Sequence, residues 1–108
     1  SLAATGDVTT LVAQAATKYI VRRIVLSNFS GNASGANVGV FTAASGGGTA
    51  IAADQTLSAA TGSTKFDDLT LASAANTDVQ TARVLYVNCS VNAAVTCDIA
   101  LYGDIVSL

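Results

Sequence analysis

Few residues of this chain could carry catalysis, and their types exclude the commonest mechanisms. The 108 residues include no histidine, so neither a Ser/His/Asp nor a Cys/His arrangement can form, and the usual proton shuttle at neutral pH is missing. The aspartates Asp67 and Asp68, and the pair Asp98 and Asp104, could serve glycoside hydrolysis. Such a site usually also needs aromatic platforms for the sugar, and the sequence contains no cluster of aromatic residues. We therefore expect no enzymatic activity and no catalytic residue.

Metal and cofactor sites are equally poorly supported by the residue types. Two cysteines without histidine match no zinc pattern, and no run of aspartates has the spacing of an EF-hand loop. A calcium ion held by Asp67 and Asp68 is the weaker alternative to a solvated loop. The glycine-rich segment at residues 45–49, SGGGT, lacks the lysine and helix start of a phosphate-binding loop, so it predicts a flexible or tightly turned connection. We expect no cofactor and no metal.

Cys89 and Cys97 are the pair whose spacing predicts a specific contact. If the last two strands form a hairpin around residues 92–94, Val91 pairs with Val95 and Cys89 lies opposite Cys97. Direct cross-strand partners lie within disulfide range, whereas a slip of one residue would place the thiols on opposite faces of the sheet. The sequence leaves both states open: a hairpin disulfide, or two free thiols that pack as small hydrophobic groups.

The segment YIVRRIVL at residues 19–26 predicts a β-strand that carries two adjacent arginines, Arg22 and Arg23. Neighbouring side chains of a strand point to opposite faces, so each arginine is expected among apolar residues. One face would hold Ile20, Arg22, Ile24 and Leu26, and the other Tyr19, Val21, Arg23, Val25 and Ser27. A strand that is apolar on both faces needs a cover on each side. We expect one face to fill the core and the other to meet a loop or a neighbouring subunit.

Asp98 and Asp104 are the candidate partners of these arginines. The last strand is expected to place Asp98, Ala100, Tyr102 and Asp104 on its outer face, and Ile99, Leu101, Gly103 and Ile105 on its core face. An ion pair between Arg22 or Arg23 of one subunit and Asp98 or Asp104 of the next is therefore our interface hypothesis. The alternative is that the arginines pair within their own chain.

The composition and the net charge indicate which classes of molecule this protein is expected to bind. The formal net charge is −2 with only five basic residues, which are scattered, so we expect no nucleic-acid binding. No apolar run is long enough to span a membrane, and the first ten residues lack the basic and apolar regions of a signal peptide. Hydrophobic residues make up 51% of the chain and charged residues only 11%. A surface with so little charge suits a subunit packed against others; the alternative is an extracellular domain with a Thr/Ser-rich surface.

Apolar periodicity predicts about seven or eight strands and no long helix. The predicted strands cover residues 8–12, 18–28, 37–43, 51–58, 66–71, 83–91 and 95–106, the last broken near Gly103. The alanine-rich residues 13–16 and 72–75 could make a helical turn at most. This pattern predicts one domain over residues 1–108, an all-β fold of the antiparallel β-sandwich or jelly-roll-like type.

The all-β pattern, the low-charge surface rich in Ala, Thr, Ser and Gly, and the closing strand VTCDIALYGDIV at residues 95–106 resemble the small β-rich virion proteins of tailed phages, in particular capsid decoration (cement) proteins. The resemblance implies a homo-oligomer, a trimer, that is assembled in the host cytoplasm and binds the major capsid protein at the capsid surface. Two alternatives stay open: a head–tail connector or tail/fibre module, and a secreted carbohydrate-binding sandwich. The second would need exposed aromatic residues in a groove, whereas Tyr19, Tyr86 and Tyr102 all lie in predicted strands.

Overall fold

The computed structural model of the protein describes residue 2 and residues 4–11, 18–72 and 78–106. Its strands are β1 (Gly6–Leu11), β2 (Tyr19–Ser27), β3 (Asn37–Ala43), β4 (Gly47–Thr56), β5 (Asp67–Asp68), β6 (Val84–Val91) and β7 (Asp98–Ile105), with a 3-10 turn at Ala44–Gly46. They form a four-stranded sheet in the order β1-β6-β3-β4 and a three-stranded sheet in the order β5-β2-β7. Every pair of neighbouring strands is antiparallel. The predicted all-β antiparallel sandwich is therefore confirmed.

The described residues share one hydrophobic core between the two sheets. Its largest fully buried side chains are Phe29, Ile24, Leu26, Ile51, Leu57, Leu85, Val38 and Val40. Strand β3 has the predicted bounds, and its alternation places Val38 and Val40 in this core with no exposed surface. Burying one such aliphatic side chain contributes about 1.5–3 kcal/mol. The core therefore fixes the orientation of the strands that carry the candidate site.

Strand β2 contains a β-bulge at its arginines, which the sequence did not predict. Its register with β7 shifts between Val21 and Arg23, so that Arg22 is the inserted residue. Before the bulge the buried residues are Tyr19 and Val21, and after it they are Ile24 and Leu26. Because one extra residue reverses the alternation, the predicted assignment of the arginines to opposite faces is wrong.

Gly103 of β7 lies where the bulged strand comes closest. A Cβ atom at this position would overlap the carbonyl oxygen of Ile20 and lie 3.3 Å from the Cα of Val21. A side chain at residue 103 would therefore push the two backbones apart. The break predicted near Gly103 does not occur, because β7 continues through it to Ile105.

The predicted hairpin between the last two strands is wrong, because β6 and β7 lie in different sheets. The connecting segment is tied to distant residues. The N–H of Leu2 donates to the carbonyl of Val95 at 2.8 Å, the N–H of Ala93 to that of Leu2 at 2.9 Å, and the N–H of Ser30 to that of Thr96 at 2.9 Å. These bonds carry the chain across the sandwich, so the last strand begins at Asp98 instead of Val95.

Other predicted bounds differ by a few residues. Strand β4 begins at Gly47 and so takes in part of the glycine-rich segment, whose tight turn is formed by the 3-10 residues Ala44–Gly46 with positive φ angles at Ser45 and Gly46. The strand predicted at residues 66–71 is reduced to Asp67–Asp68. Residues 12–17 and 73–77 lie outside the described part of the chain, and with them most of the alanine-rich segments. Within the described part, no helix has the length and hydropathy needed to cross a membrane.

Candidate functional site

The outer face of the three-stranded sheet carries most of the charged residues that the sequence singled out. It presents Arg22 and Arg23 from β2, Asp68 from β5, and Tyr102 and Asp104 from β7, all of them exposed; we call these five residues the charged face. The bulge explains the composition of this face, because it turns both arginines outward. Register then sets their neighbours, since Arg23 lies opposite Tyr102 on β7 and Val25 lies opposite Asp68 on β5.

Two ion pairs tie the three strands of this face together. The Nε of Arg22 lies 2.8 Å from Oδ2 of Asp104, and the Nε of Arg23 lies 2.9 Å from Oδ2 of Asp68. Each side chain is about half exposed, so each pair stabilises the chain by about 0.2–1 kcal/mol and is weakened by salt. Both arginines therefore have carboxylate partners within the chain, as the alternative to the interface hypothesis expected.

The aspartates at the two ends of β7 have different surroundings. Asp104 binds Arg22, whereas Asp98 accepts a hydrogen bond from the side-chain amide of Asn28 at 3.1 Å. Asn28 follows β2 directly and has a φ of 54°, a left-handed conformation that asparagine tolerates. Asp68, the partner of Arg23, was not predicted as such, because its role depends on the pairing of the two-residue strand β5 with β2.

Asp67 and Asp68 do not form a paired carboxylate site. Asp67 is buried and accepts a hydrogen bond from the backbone N–H of Ala59 at 3.2 Å, while Asp68 is exposed on the charged face. Adjacent strand residues point to opposite faces, so these carboxylates do not converge on one ion. Among the residues that the structure describes, no three metal-ligating side chains come together.

Both cysteines line a pocket between the two sheets. The pocket has a volume of about 320 Å³ and is lined mainly by apolar residues, among them Leu2, Val8, Leu26, Val87 and Ile99. Cys89 and Cys97 are free thiols. The hairpin that would have paired them is absent, because Cys89 lies on β6 of the four-stranded sheet and Cys97 directly precedes β7 of the three-stranded sheet. The S–H of Cys89 donates to the carbonyl of Val91 at 3.3 Å. The pocket is at the lower end of the size range of small-molecule sites.

Burial makes these thiols poor nucleophiles. It raises the pKa of Cys89, and the charge of Asp54 raises that pKa further. Burial also raises the pKa of Cys97, with smaller contributions from the charges of Asp98 and Cys89. Since the thiolate is the reactive form, the pocket does not have the chemistry of a catalytic cysteine site.

A polar cluster on the four-stranded sheet joins β1 to the 3-10 turn. Asp7 accepts hydrogen bonds from the side-chain amide of Asn88 and from the backbone N–H of Ser45, each at 2.8 Å. These two bonds, that of Asn88 first, lower the pKa of Asp7 below its usual value of 3.8. The cluster is exposed and holds the turn in place, so we assign it a structural role.

Strand β7 is an edge strand with exposed apolar residues. Among the described residues, only β2 pairs with it. Tyr102 is 55% exposed and Ile105 75% exposed, and Val106 next to them is also exposed. Ile105 points to the core side as predicted, since it lies opposite the buried Tyr19, but it extends beyond the core. Sequence alternation alone could not show that the core ends before this residue.

The three tyrosines do not form a shared platform. Tyr19 is buried and its hydroxyl donates to the carbonyl of Ala82 at 2.5 Å, Tyr86 is half-buried on β6 in the other sheet, and Tyr102 is exposed on β7.

No protein-family model, characterised protein or solved structure matches this chain. Its function is therefore inferred from these physical features.

Proposed function

We propose that this chain is a non-enzymatic virion structural protein, a capsid decoration protein that oligomerises and stabilises a phage head by binding the major capsid protein. The observation that supports this proposal is an apolar edge strand, β7, beside a charged face whose arginines are already paired. Such an edge offers backbone hydrogen bonds and apolar contact for association with another copy of the chain, which leaves the rest of the surface for the major capsid protein. It offers little to a charged small molecule.

The remaining surface supports the same role. The exposed large apolar residues include Val8, Phe66, Val79 and Val91 in addition to those at the end of β7, while charged residues make up only 11% of the chain. Burial of apolar surface stabilises an interface by about 25 cal/mol per Å² before the costs of association. Many copies, each adding a modest contact, can thus reinforce a shell without a catalytic group.

The proposed location is the capsid surface, after assembly in the host cytoplasm. The two free thiols support this compartment, because the cytoplasm keeps cysteines reduced. The resemblance that suggested the role implies three copies per assembly, and this number remains a prediction. A head–tail connector or tail/fibre module would use the same surface chemistry but would form a larger closed ring or an elongated assembly.

Binding to heads tests the proposal directly. Expanded phage heads that lack their decoration protein, prepared from the phage that encodes this chain, are mixed with the purified protein, sedimented and heated. We expect the protein to cosediment at a fixed ratio to the major capsid protein and to raise the temperature at which the heads rupture. Absence from the pellet, together with a ring-shaped oligomer, would support the connector instead. Retention of a monomer on a polysaccharide column would support the carbohydrate-binding module.

A further inference from the structure

We propose that β7 pairs antiparallel with β7 of a second copy about a two-fold axis, so that the three-stranded sheets of the two copies become one continuous sheet. Edge strands expose unpaired backbone groups, and monomeric proteins usually guard them with charged side chains, above all lysine, or with proline, bulges or shortness. The eight residues of β7 include no lysine, no proline and no bulge of their own. Its two charged residues are already engaged within the chain, Asp104 by Arg22 and Asp98 by Asn28. The inference does not depend on the virion role.

The other edges of the sandwich are less suited to pairing. Strand β5 has two residues, β1 has six, and the pairing of β4 with β3 is interrupted by several register shifts. Strand β7 keeps a regular backbone because the inserted residue of the bulge belongs to β2. It therefore presents the longest regular open edge in the described part of the chain.

The backbone groups that face this edge can be identified from two hydrogen bonds. The N–H of Val106 donates to the carbonyl of Lys18 on the β2 side, and the N–H of Leu69 on the β5 side donates to the carbonyl of Ile24, each at 2.9 Å. The backbone N–H and C=O groups of Ile24 thus point away from β7, and those of its neighbours Arg23 and Val25 point towards β7. Because alternate residues of a strand bond to opposite sides, the even-numbered residues of β7 bond to β2. The groups directed to the open edge belong to Ile99, Leu101, Gly103 and Ile105.

This alternation restricts the register of a two-fold pair. Odd-numbered residues must lie opposite odd-numbered residues, because only they direct N–H and C=O groups to the edge. The two registers that use most of the strand are centred on Leu101 and on Tyr102. A centre at Leu101 places Asp98 of each copy directly opposite Asp104 of the other, and like charges in that position are destabilising. A centre at Tyr102 places Asp104 opposite Ala100 and avoids this contact.

Apolar contacts favour the same register. With Tyr102 at the centre, Ile105 lies opposite Ile99 of the second copy on the core side of the sheet. Ile105 is 75% exposed in the single chain, and Ile99 packs against the edge of the core. The pair covers both residues and continues the core-facing row across the two copies. On the outer side, the two Tyr102 side chains meet, and aromatic cross-strand pairs stabilise a sheet.

Disulfide trapping tests the register. The experiment uses a Cys89→Ala/Cys97→Ala background, which removes the native thiols. In the proposed register the two copies of residue 102 form a non-hydrogen-bonded pair, with an expected Cα separation of about 4.5 Å, which is within disulfide range. Oxidised glutathione converts the two thiols of a Tyr102→Cys dimer into one disulfide and releases two molecules of reduced glutathione. The matched controls are Ala100→Cys and Leu101→Cys, whose copies lie farther apart along the strand.

We expect Tyr102→Cys to form the covalent dimer at least about tenfold faster than either control, because only its two thiols lie directly opposite each other. Fastest trapping at Leu101→Cys or Ala100→Cys would overturn the register, and equal rates for all three would overturn the pairing of β7 with itself. The mass of the unmodified protein in solution gives a second readout, with a dimer expected. This dimer would replace the trimer that the resemblance implies, because an isologous contact joins two copies. A monomer at all concentrations, or a trimer, would contradict a strand that pairs with itself.

A lysine at the edge tests the contact without cysteine chemistry. Ile105→Lys places a charge where the proposed partner strand would lie, and the exposure of Ile105 leaves the single chain folded. We expect the dimer dissociation constant to rise at least about tenfold. Phe66→Lys, at a residue that is 54% exposed outside β7, should leave it unchanged. Equal effects of the two substitutions would contradict the proposal, with circular dichroism confirming that each variant is folded.

A chain that dimerises through β7 but does not bind phage heads would contradict the proposed function alone.

Discussion

Replacing Gly103 with alanine should destabilise the sandwich, although glycine is normally the more costly residue inside a strand. The added Cβ atom would overlap the carbonyl oxygen of Ile20 and press on the Cα of Val21. Both are backbone atoms, so no side-chain rotation can relieve the contact. Either β7 moves away from β2 or the bulge at Arg22 changes shape, and both changes disturb the hydrogen bonds between these strands.

The magnitude follows from two opposing contributions. Overpacking of a well-packed site costs about 1–3 kcal/mol, and the rigidity of the backbone at Ile20 places this site near the upper value. Alanine also restricts the unfolded chain, which offsets about 1 kcal/mol. We therefore expect a loss of about 2 kcal/mol in the free energy of unfolding, or a fall in Tm of about 8 °C or more for a domain of this size.

Urea unfolding followed by circular dichroism measures this loss. Gly62→Ala is the matched control, because its Cβ would have no atom within 4 Å, and its stability should stay unchanged or rise by up to about 1 kcal/mol. Deleting Arg22 removes the inserted residue, so Gly103→Ala should cost less than half as much in that background. Equal stabilities of Gly103→Ala and Gly62→Ala would refute the role assigned to Gly103.

Three further predictions concern titration and charge. Because burial raises the pKa of Cys89 and Cys97, iodoacetamide at pH 8 should alkylate them more slowly in the folded protein than in urea; equal rates would mean that the pocket is open. A double-mutant cycle of Arg23→Ala and Asp68→Ala should give a coupling of about 0.5 kcal/mol that shrinks in 1 M salt, and coupling that persists would indicate a buried pair. The lowered pKa of Asp7 adds stability above pH 3.8 that is lost as the pH falls through the lowered value. Asp7→Asn should therefore flatten the acid limb of the stability–pH curve, and an unchanged limb would contradict the pKa.

Sequence periodicity predicted the strands well where one face is buried and the pattern is local. The bounds of β3 match the prediction, and Val38 and Val40 fill the core as expected. The hairpin between β6 and β7 failed because short spacing favours a turn, whereas the chain here crosses to the other sheet. That crossing depends on hydrogen bonds to Leu2, which lies at the opposite end of the sequence. No local pattern could have revealed these bonds.

The bulge in β2 is visible in the burial pattern of the strand but not in its sequence. The buried positions of β2 are Tyr19, Val21, Ile24 and Leu26, so the period of two is interrupted once, at the two arginines. The sequence does not show this change of phase, because Ile20 and Val25 are apolar as well, and it becomes visible only in the burial of the side chains. Strict alternation instead forced one arginine towards each face and suggested a neighbouring subunit as its cover. The structure places both arginines on one face, where carboxylates of two neighbouring strands meet them.

The charged residues of the three-stranded sheet stabilise the single chain without blocking the open edge of β7. By turning Arg22 and Arg23 to the same face, the bulge allows them to bind Asp104 on β7 and Asp68 on β5. The ion pairs thus join the three strands and leave the five residues of the charged face without net charge. The same bulge requires a glycine at residue 103, because a Cβ atom there would overlap the carbonyl oxygen of Ile20. The backbone of β7 therefore stays regular beside the bulge. A sequence that pairs two of its five basic residues within one sheet, and places none on the open strand, stabilises the single chain while leaving its edge free to pair.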